Sequence, residues 1–202
     1  MSSIIPIQLA VEDDLGEAIM TKIFIESGRN YFITACYGKK GNTYLKQKIA
    51  GFNSAAKGSP FLVLTDLDNE ECAVMLIEEW LHAPKHHNLL FRVAVREVES
   101  WILAHRAAFA KFLGIKQSLI PESIESIPNP KELLILLASK SRYRNLRESI
   151  VPAIGSTAKK GPDYNAVLSF FVSNNWSAFE ASKHSNSLRR AMSEIQSFVP
   201  QK

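Results

Sequence analysis

The chain has 202 residues, 46% hydrophobic and 22% charged, with a net charge of +4. That balance fits one globular unit with a sizeable core, or a core with an appendage, and excludes a low-complexity chain. No apolar run reaches membrane-spanning length, the N-terminus lacks the basic-then-apolar order of a signal peptide, and Cys36 and Cys72 stand alone without CxxC spacing, so a cytoplasmic protein with reduced thiols is expected and both cysteines read as apolar filler.

Residues 4–11 form an apolar run of strand length, followed by Glu12. Residues 17–27 carry Ala18, Ile19, Ile23 and Phe24 at helical spacing, with Gly28 as the stop. Asp14 is the expected N-cap, with Glu17 three residues on completing a capping box. Residues 31–37 are rich in β-formers, 38–41 read Gly-Lys-Lys-Gly and make a turn, and 43–56 make a helix. Gly58-Ser59-Pro60 breaks the chain before a strand over 61–64, after which come Asp66 and Asp68. A helix is expected over 70–82, with Val74, Ile77 and Leu81 on one face. A fourth strand over 89–95 leads to Glu97 and Glu99, and a helix over 98–113 ends at Gly114.

This alternation predicts an α/β core over 1–114, a mostly parallel sheet flanked by helices. Residues 116–129 read as a connector, and 115–202 as a helical C-terminal extension, with helices at 131–139, 143–151, 164–174 and 187–198 and a basic loop at 155–162. Ligands of such sheets bind beyond the carboxyl ends of the strands. Glu12, Asp66, Asp68, Glu97 and Glu99 all fall there.

Carboxylates gathered at one edge repel each other unless a cation sits among them. Mg²⁺ takes oxygen ligands in octahedral order and keeps several waters. In an extended segment residues two apart face the same way, so Asp66 and Asp68 are placed to share an ion. An acid from a neighbouring strand end then completes the site or serves as general acid/base. The expected cofactor is one or two Mg²⁺ or Mn²⁺ ions, and the expected use is phosphate chemistry. A DxD standing alone has an ordinary explanation, because turns are rich in Asp.

Base concentrates at 38–48, at 140–147 and at Lys159–Lys160. Lys39, Lys40, Lys159 and Lys160 are candidate phosphate or nucleic-acid contacts, and a plain surface turn explains them as well. Arg142, Arg144 and Arg147 with Tyr143 read either as a patch tracking a nucleic-acid backbone or as a solvated helix face. No Walker-type phosphate loop is present, and the histidines, His86-His87 included, lack metal-ligand spacing. Trp80, Trp101 and Trp176 read as packing residues.

Three family patterns share these features. Val11-Glu12-Asp13-Asp14 resembles the acidic pair of phosphoaccepting receiver domains, with Asp66 as acceptor, but the fourth strand leads to acid where those domains want a small hydroxyl residue. Haloacid-dehalogenase phosphatases carry a DxD on their first strand, not the third. A Glu after the first strand and a DxD after the third resemble the Toprim domain of topoisomerases, primases and OLD nucleases. The stretches Leu64-Thr65-Asp66-Leu67-Asp68 and Arg96-Glu97-Val98-Glu99-Ser100-Trp101, the block Gly161-Pro162-Asp163-Tyr164-Asn165 and the ending Ser187-Leu188-Arg189-Arg190-Ala191 are similar to the Toprim-like DUF4276 group. The resemblance implies that Glu12 is a general acid/base or metal ligand, that Asp66 and Asp68 bind metal, and that Glu99, with Glu97, supplies further acid. It implies a metal-dependent nuclease on DNA or RNA. The alternative is a non-catalytic interaction or regulatory subunit beside an ATPase partner. Nucleic acid, such a partner and a homo-oligomeric state are the expected associations, and a membrane is not. One departure stands out. Toprim domains place a glycine soon after the glutamate, and here Asp13-Asp14-Leu15 intervene before Gly16.

Overall fold

The structure, a computed structural model, describes residues 3–201. Four strands, β1 (Ile5–Val11), β2 (Tyr31–Gly38), β3 (Phe61–Asp66) and β4 (Leu89–Ala94), form one sheet in the order β2-β1-β3-β4. Every pairing is parallel. Helices α1 (Asp14–Glu26), α2 (Asn42–Ala55) and α3 (Ala73–Trp80) make the crossovers. The chain is thus α/β with an all-parallel sheet flanked by helices and a helical C-terminal region, as expected. Registers of Ala10 with Val63 and of Asp66 with Ala94 bring the carboxyl ends of β1, β3 and β4 level at one edge.

Alternation along the strands divides the core. Leu62 and Leu64 of β3 face one side with Ile7, Leu9 and Leu90. Phe61 and Val63 face the other, where Phe91, Leu45 of α2 and Trp80 of α3 cover them. The first side receives α1 and everything after β4: α4 (Val98–Ala104), α5 (Arg106–Leu113), α6 (Pro130–Ser139), α7 (Arg144–Ile150), α8 (Tyr164–Asn174), α9 (Ala178–Ser182) and α10 (Asn186–Ser197). Residues from α1, α4, α8 and α10 share one apolar cluster, so the C-terminal helices bury the sheet face that α1 alone leaves open. Among the described residues no helix is long and apolar enough to cross a membrane.

Several elements differ from expectation. The helix expected over 98–113 is two helices, because His105 (φ −84°, ψ 61°) leaves helical geometry. Its Nδ1 instead accepts the Ser177 N–H at 3.0 Å, which fastens the α8–α9 link to the break. Gly114 closes α5 in the left-handed region, as expected, and a Cβ there would collide with the Arg142 side chain. The helix expected over 70–82 shrinks to α3, and its buried residues are Leu76 and Trp80, one turn apart, while Val74 is exposed. Asp13, not Asp14, caps α1: its Oδ1 accepts the Gly16 N–H at 3.0 Å, and Glu17 pairs with Lys39. Helix α9 was not expected at all. Cys36 is half-buried, but Cys72 is exposed and fills nothing. Trp101 and Trp176 are buried in the core as expected, and Trp101 Nε1 donates to Ser187 Oγ at 2.7 Å.

Candidate acidic site at the sheet edge

The site begins where β1 runs out. Gly38 adopts φ 97°, and a Cβ there would strike the Val11 carbonyl, so only glycine lets the β2–α2 turn lie against the end of β1. Lys39 N–H then donates to Val11 O and Gly41 N–H to Glu12 O, at 2.9 and 3.1 Å. With its backbone pinned, Glu12 reaches across to β3. Its Oε1 accepts from Thr65 Oγ1 at 2.5 Å and from Asp66 N–H at 2.8 Å.

Asp66 is the last residue of β3, and its Oδ1 accepts the Val98 N–H at the start of α4 at 2.9 Å. Glu99 stands in the first turn of α4 and is 2% exposed. Its Oε1 accepts from Tyr164 Oη at 2.9 Å, and its Oε2 is buried with no hydrogen-bond partner among the described residues. Glu12, Asp66 and Glu99 line one cavity of about 70 Å³, together with Asp13 and Lys131.

Four carboxyl groups against one ammonium set the electrostatics. Burial raises the Asp66 pKa well above the usual carboxyl range, and Glu99 and Glu12 push it further against the opposing pull of Lys131. Burial also raises Glu12, although its bonds from Thr65 and Asp66 work the other way. For Glu99 burial again leads, opposed by Lys131 and reinforced by Glu97. Lys131 loses from burial, yet Glu99, Glu97 and Asp66 outweigh that loss and raise its pKa. The Tyr164 hydroxyl, buried beside Glu99, is raised well above its usual value.

The other expected residues lie around this centre. Glu97 is taken up by α6: its Oε2 accepts Lys131 N–H at 2.8 Å and its Oε1 accepts Lys131 Nζ at 3.2 Å. Asp68 does not continue the strand. It has φ 49°, so the DxD is not the extended dyad that same-face geometry assumes. Asp68 Oδ2 accepts from Asn42 Nδ2 at 3.0 Å and lines a second cavity of about 370 Å³ with Lys46, Leu67 and Trp80. Asp66 borders both cavities.

Of the basic candidates, Lys39 is committed to α1, pairing with Asp14 at 2.7 Å and Glu17 at 2.6 Å, which raises its pKa. Lys40 lies 5.5 Å from the Tyr44 ring centroid, and Lys159 is exposed. Lys160 is the one joined to the site. It donates to Asn165 Oδ1 at 3.0 Å and sits 5.3 Å from the Tyr164 ring centroid, while Asn165 Nδ2 donates to Asp13 Oδ2 at 3.1 Å. Arg144 pairs with Glu148, and Arg147 Nη1 donates to Ser141 O, so much of that basic patch is spent locally.

Sequence reasoning missed Lys131, Thr65 and Asp13 as site residues. Tyr164 and Asn165 stand out in the sequence only as part of the 161–165 block, and that block is what comes down over Glu99 and Asp13. Among the described residues no three His, Cys, Asp or Glu side chains are placed to hold a metal ion as they stand. Lys131 Nζ, 3.6 Å from Glu99 Oε1, lies against the acids that would do so. The donor chemistry nonetheless fits a hard divalent cation, given a buried Glu99 oxygen without a partner and carboxyl groups whose mutual repulsion a cation would relieve. Comparison with protein-family profiles, with curated proteins and with solved structures gives no match.

Proposed function

We propose that the chain is a Toprim-like, metal-dependent phosphoesterase, a nuclease that hydrolyses DNA or RNA phosphodiesters at the β1–β3–β4 edge. The observation carrying this reading is the unpartnered Oε2 of Glu99 in a cavity shared with Glu12 and Asp66. A buried carboxylate oxygen without a donor is costly, and an acidic cavity that keeps one is built to receive positive charge. Asp66 and Glu99 are the residues to hold Mg²⁺ or Mn²⁺, with Asp68 approaching from the adjoining cavity. When bound, such an ion would polarise a phosphodiester oxygen and acidify a water.

The remaining roles belong to the chain. Glu12 commits Oε1 to Thr65 and Asp66, and among the described residues Oε2 makes no hydrogen bond. Its raised pKa brings proton exchange nearer neutrality, which suits a general acid/base. Lys160, anchored through Asn165, offers positive charge at the rim for a phosphate oxygen. The test is cleavage of single- and double-stranded DNA and RNA by the full chain with Mg²⁺ or Mn²⁺, beside Asp66→Asn and Glu99→Gln. Activity lost in both variants supports the proposal; activity equal to that of the unaltered chain overturns it.

A second reading has its own observation. Lys131 already neutralises Glu97 and Glu99, as in a protein whose acids are structural. Under it the chain is an interaction subunit beside an ATPase partner, and calorimetric titration with Mn²⁺ would show no binding.

A further inference from the structure

We infer that Lys131 is an exchangeable counter-ion, an ammonium built into α6 that occupies the place of the divalent cation and must swing out before the ion can enter. This rests on the metal-site reading above. It goes beyond that reading by assigning control of entry to a residue outside the acidic set.

The argument starts from how Lys131 is held. Its backbone N–H donates to Glu97 Oε2 at 2.8 Å in the first turn of α6, which fixes the start of the helix against the start of α4. That anchor does not involve the ammonium. The side chain runs separately, placing Nζ 3.2 Å from Glu97 Oε1 and 3.6 Å from Glu99 Oε1. The two attachments are therefore separable, and the ammonium can leave while the helix stays docked.

Charge gives the reason for leaving. One ammonium faces Glu12, Asp13, Asp66 and Glu99 around the cavity, with Glu97 beside it. Even with Nζ in place, Glu99 Oε2 has no donor. A divalent ion at the same acids carries twice the charge, and two cations a few ångströms apart repel strongly in partly desolvated surroundings. The ammonium and the ion are thus alternatives. The Lys131 side chain is 36% exposed, so an exit to water is open along its stem. The ammonium's own ion pairs are with Glu97 and Glu99, so it stands at the Glu99 side of the cavity that Glu12 and Asp66 also line.

The consequence is a threshold. Without the ion, Lys131 offsets part of the negative charge at the edge; with the ion it is freed toward the rim. Calorimetric titration of the full chain with Mn²⁺ tests this with no assay of activity. Lys131→Gln keeps the backbone anchor and removes the charge, and should tighten Mn²⁺ binding at least about tenfold, the order expected for one unit charge in partly solvated surroundings. Lys131→Arg should bind no more tightly than the unaltered chain. Should the Gln variant fold poorly, the side-chain ammonium resonance of Lys131 in the unaltered protein supplies a second readout: addition of Mg²⁺ should move it to the position of a free lysine. Binding by the unaltered chain that is unchanged or weakened in Lys131→Gln, or an ammonium resonance that Mg²⁺ leaves in place, overturns the exchange while sparing the metal site. No Mn²⁺ binding by either protein removes the metal site itself, and the exchange with it.

Discussion

Tyr164 donates its phenolic hydrogen to Glu99 Oε1 across 2.9 Å, joining two residues 65 positions apart. The C-terminal helices thus complete the acidic edge as well as covering the sheet. Tyr164 is 1% exposed and Glu99 2% exposed, so neither group can turn to water for a replacement bond. Tyr164→Phe keeps the ring and should cost about 1.5–3 kcal/mol, the range for a buried hydrogen bond to a charged group. Urea unfolding would read this as a lower midpoint with an unchanged slope. A midpoint equal to that of the unaltered chain would show the bond to be dispensable.

Asp66→Asn and Glu99→Gln should separate stability from function. Both acids are raised by burial first and then by acidic neighbours, Glu97 for Glu99 and Glu99 with Glu12 for Asp66, so each costs folding free energy when ionised. In Asp66→Asn the amide oxygen can take the place of Oδ1 and still accept from Val98 N–H. The metal-free variants should melt about 2–4 °C higher for each kcal/mol relieved. Phosphodiesterase activity should fall at least about a hundredfold. Stabilisation together with retained activity would remove these acids from the chemistry.

The pH dependence of the metal-free protein follows with its sign. Glu12, Asp66 and Glu99 have folded-state pKa values above the ordinary carboxyl range. Between the ordinary values (about 4) and the raised ones, the folded state binds more protons than the unfolded state. Unfolding free energy therefore falls as pH rises through that window, and the penalty is complete above it. Lowering the pH through that window should raise the melting temperature, because protons then neutralise the crowded acids. His105 acts oppositely: burial lowers its pKa, so its contribution is present above about pH 6.5 and is lost as pH falls through its lowered folded value. Asp66→Asn combined with Glu99→Gln should flatten the acid-side gain and leave the His105 loss. A melting temperature independent of pH in the unaltered chain would contradict the assigned shifts.

What the sequence disclosed depended on range. Strand ends were legible because apolar runs of strand length stop at Val11, Leu64 and Val95, at or within two residues of the observed ends Val11, Asp66 and Ala94, and the acids follow by position alone. Helix boundaries near irregular backbone were not: nothing local in Leu103-Ala104-His105-Arg106 announces the break, which is stabilised by Ser177 at the start of α9. Asp68 looked like the partner of Asp66 because extended geometry was assumed, whereas its left-handed backbone ends that geometry. Lys131 and Tyr164 reach Glu99 from far along the chain through tertiary packing, and no spacing encodes such a meeting.

Neighbouring aspartates at the start of α1 offer the sharpest local test, because only one of them caps the helix. Asp13 Oδ1 takes the Gly16 N–H and Oδ2 takes Asn165 Nδ2, so one side chain both caps the helix and ties α8 to the site rim. Asp14 is exposed, and its ion pair is with Lys39, itself 42% exposed at its side chain and also bound to Glu17. Asp13→Ala should cost about 1 kcal/mol for the cap, and more for the lost bond to Asn165. Asp14→Ala should change stability by no more than a few tenths of a kcal/mol, as for an exposed ion pair with a substitute acid beside it. Parallel urea titrations of the two variants check the ordering. The reverse order would return the cap to Asp14 and detach α8 from the start of α1.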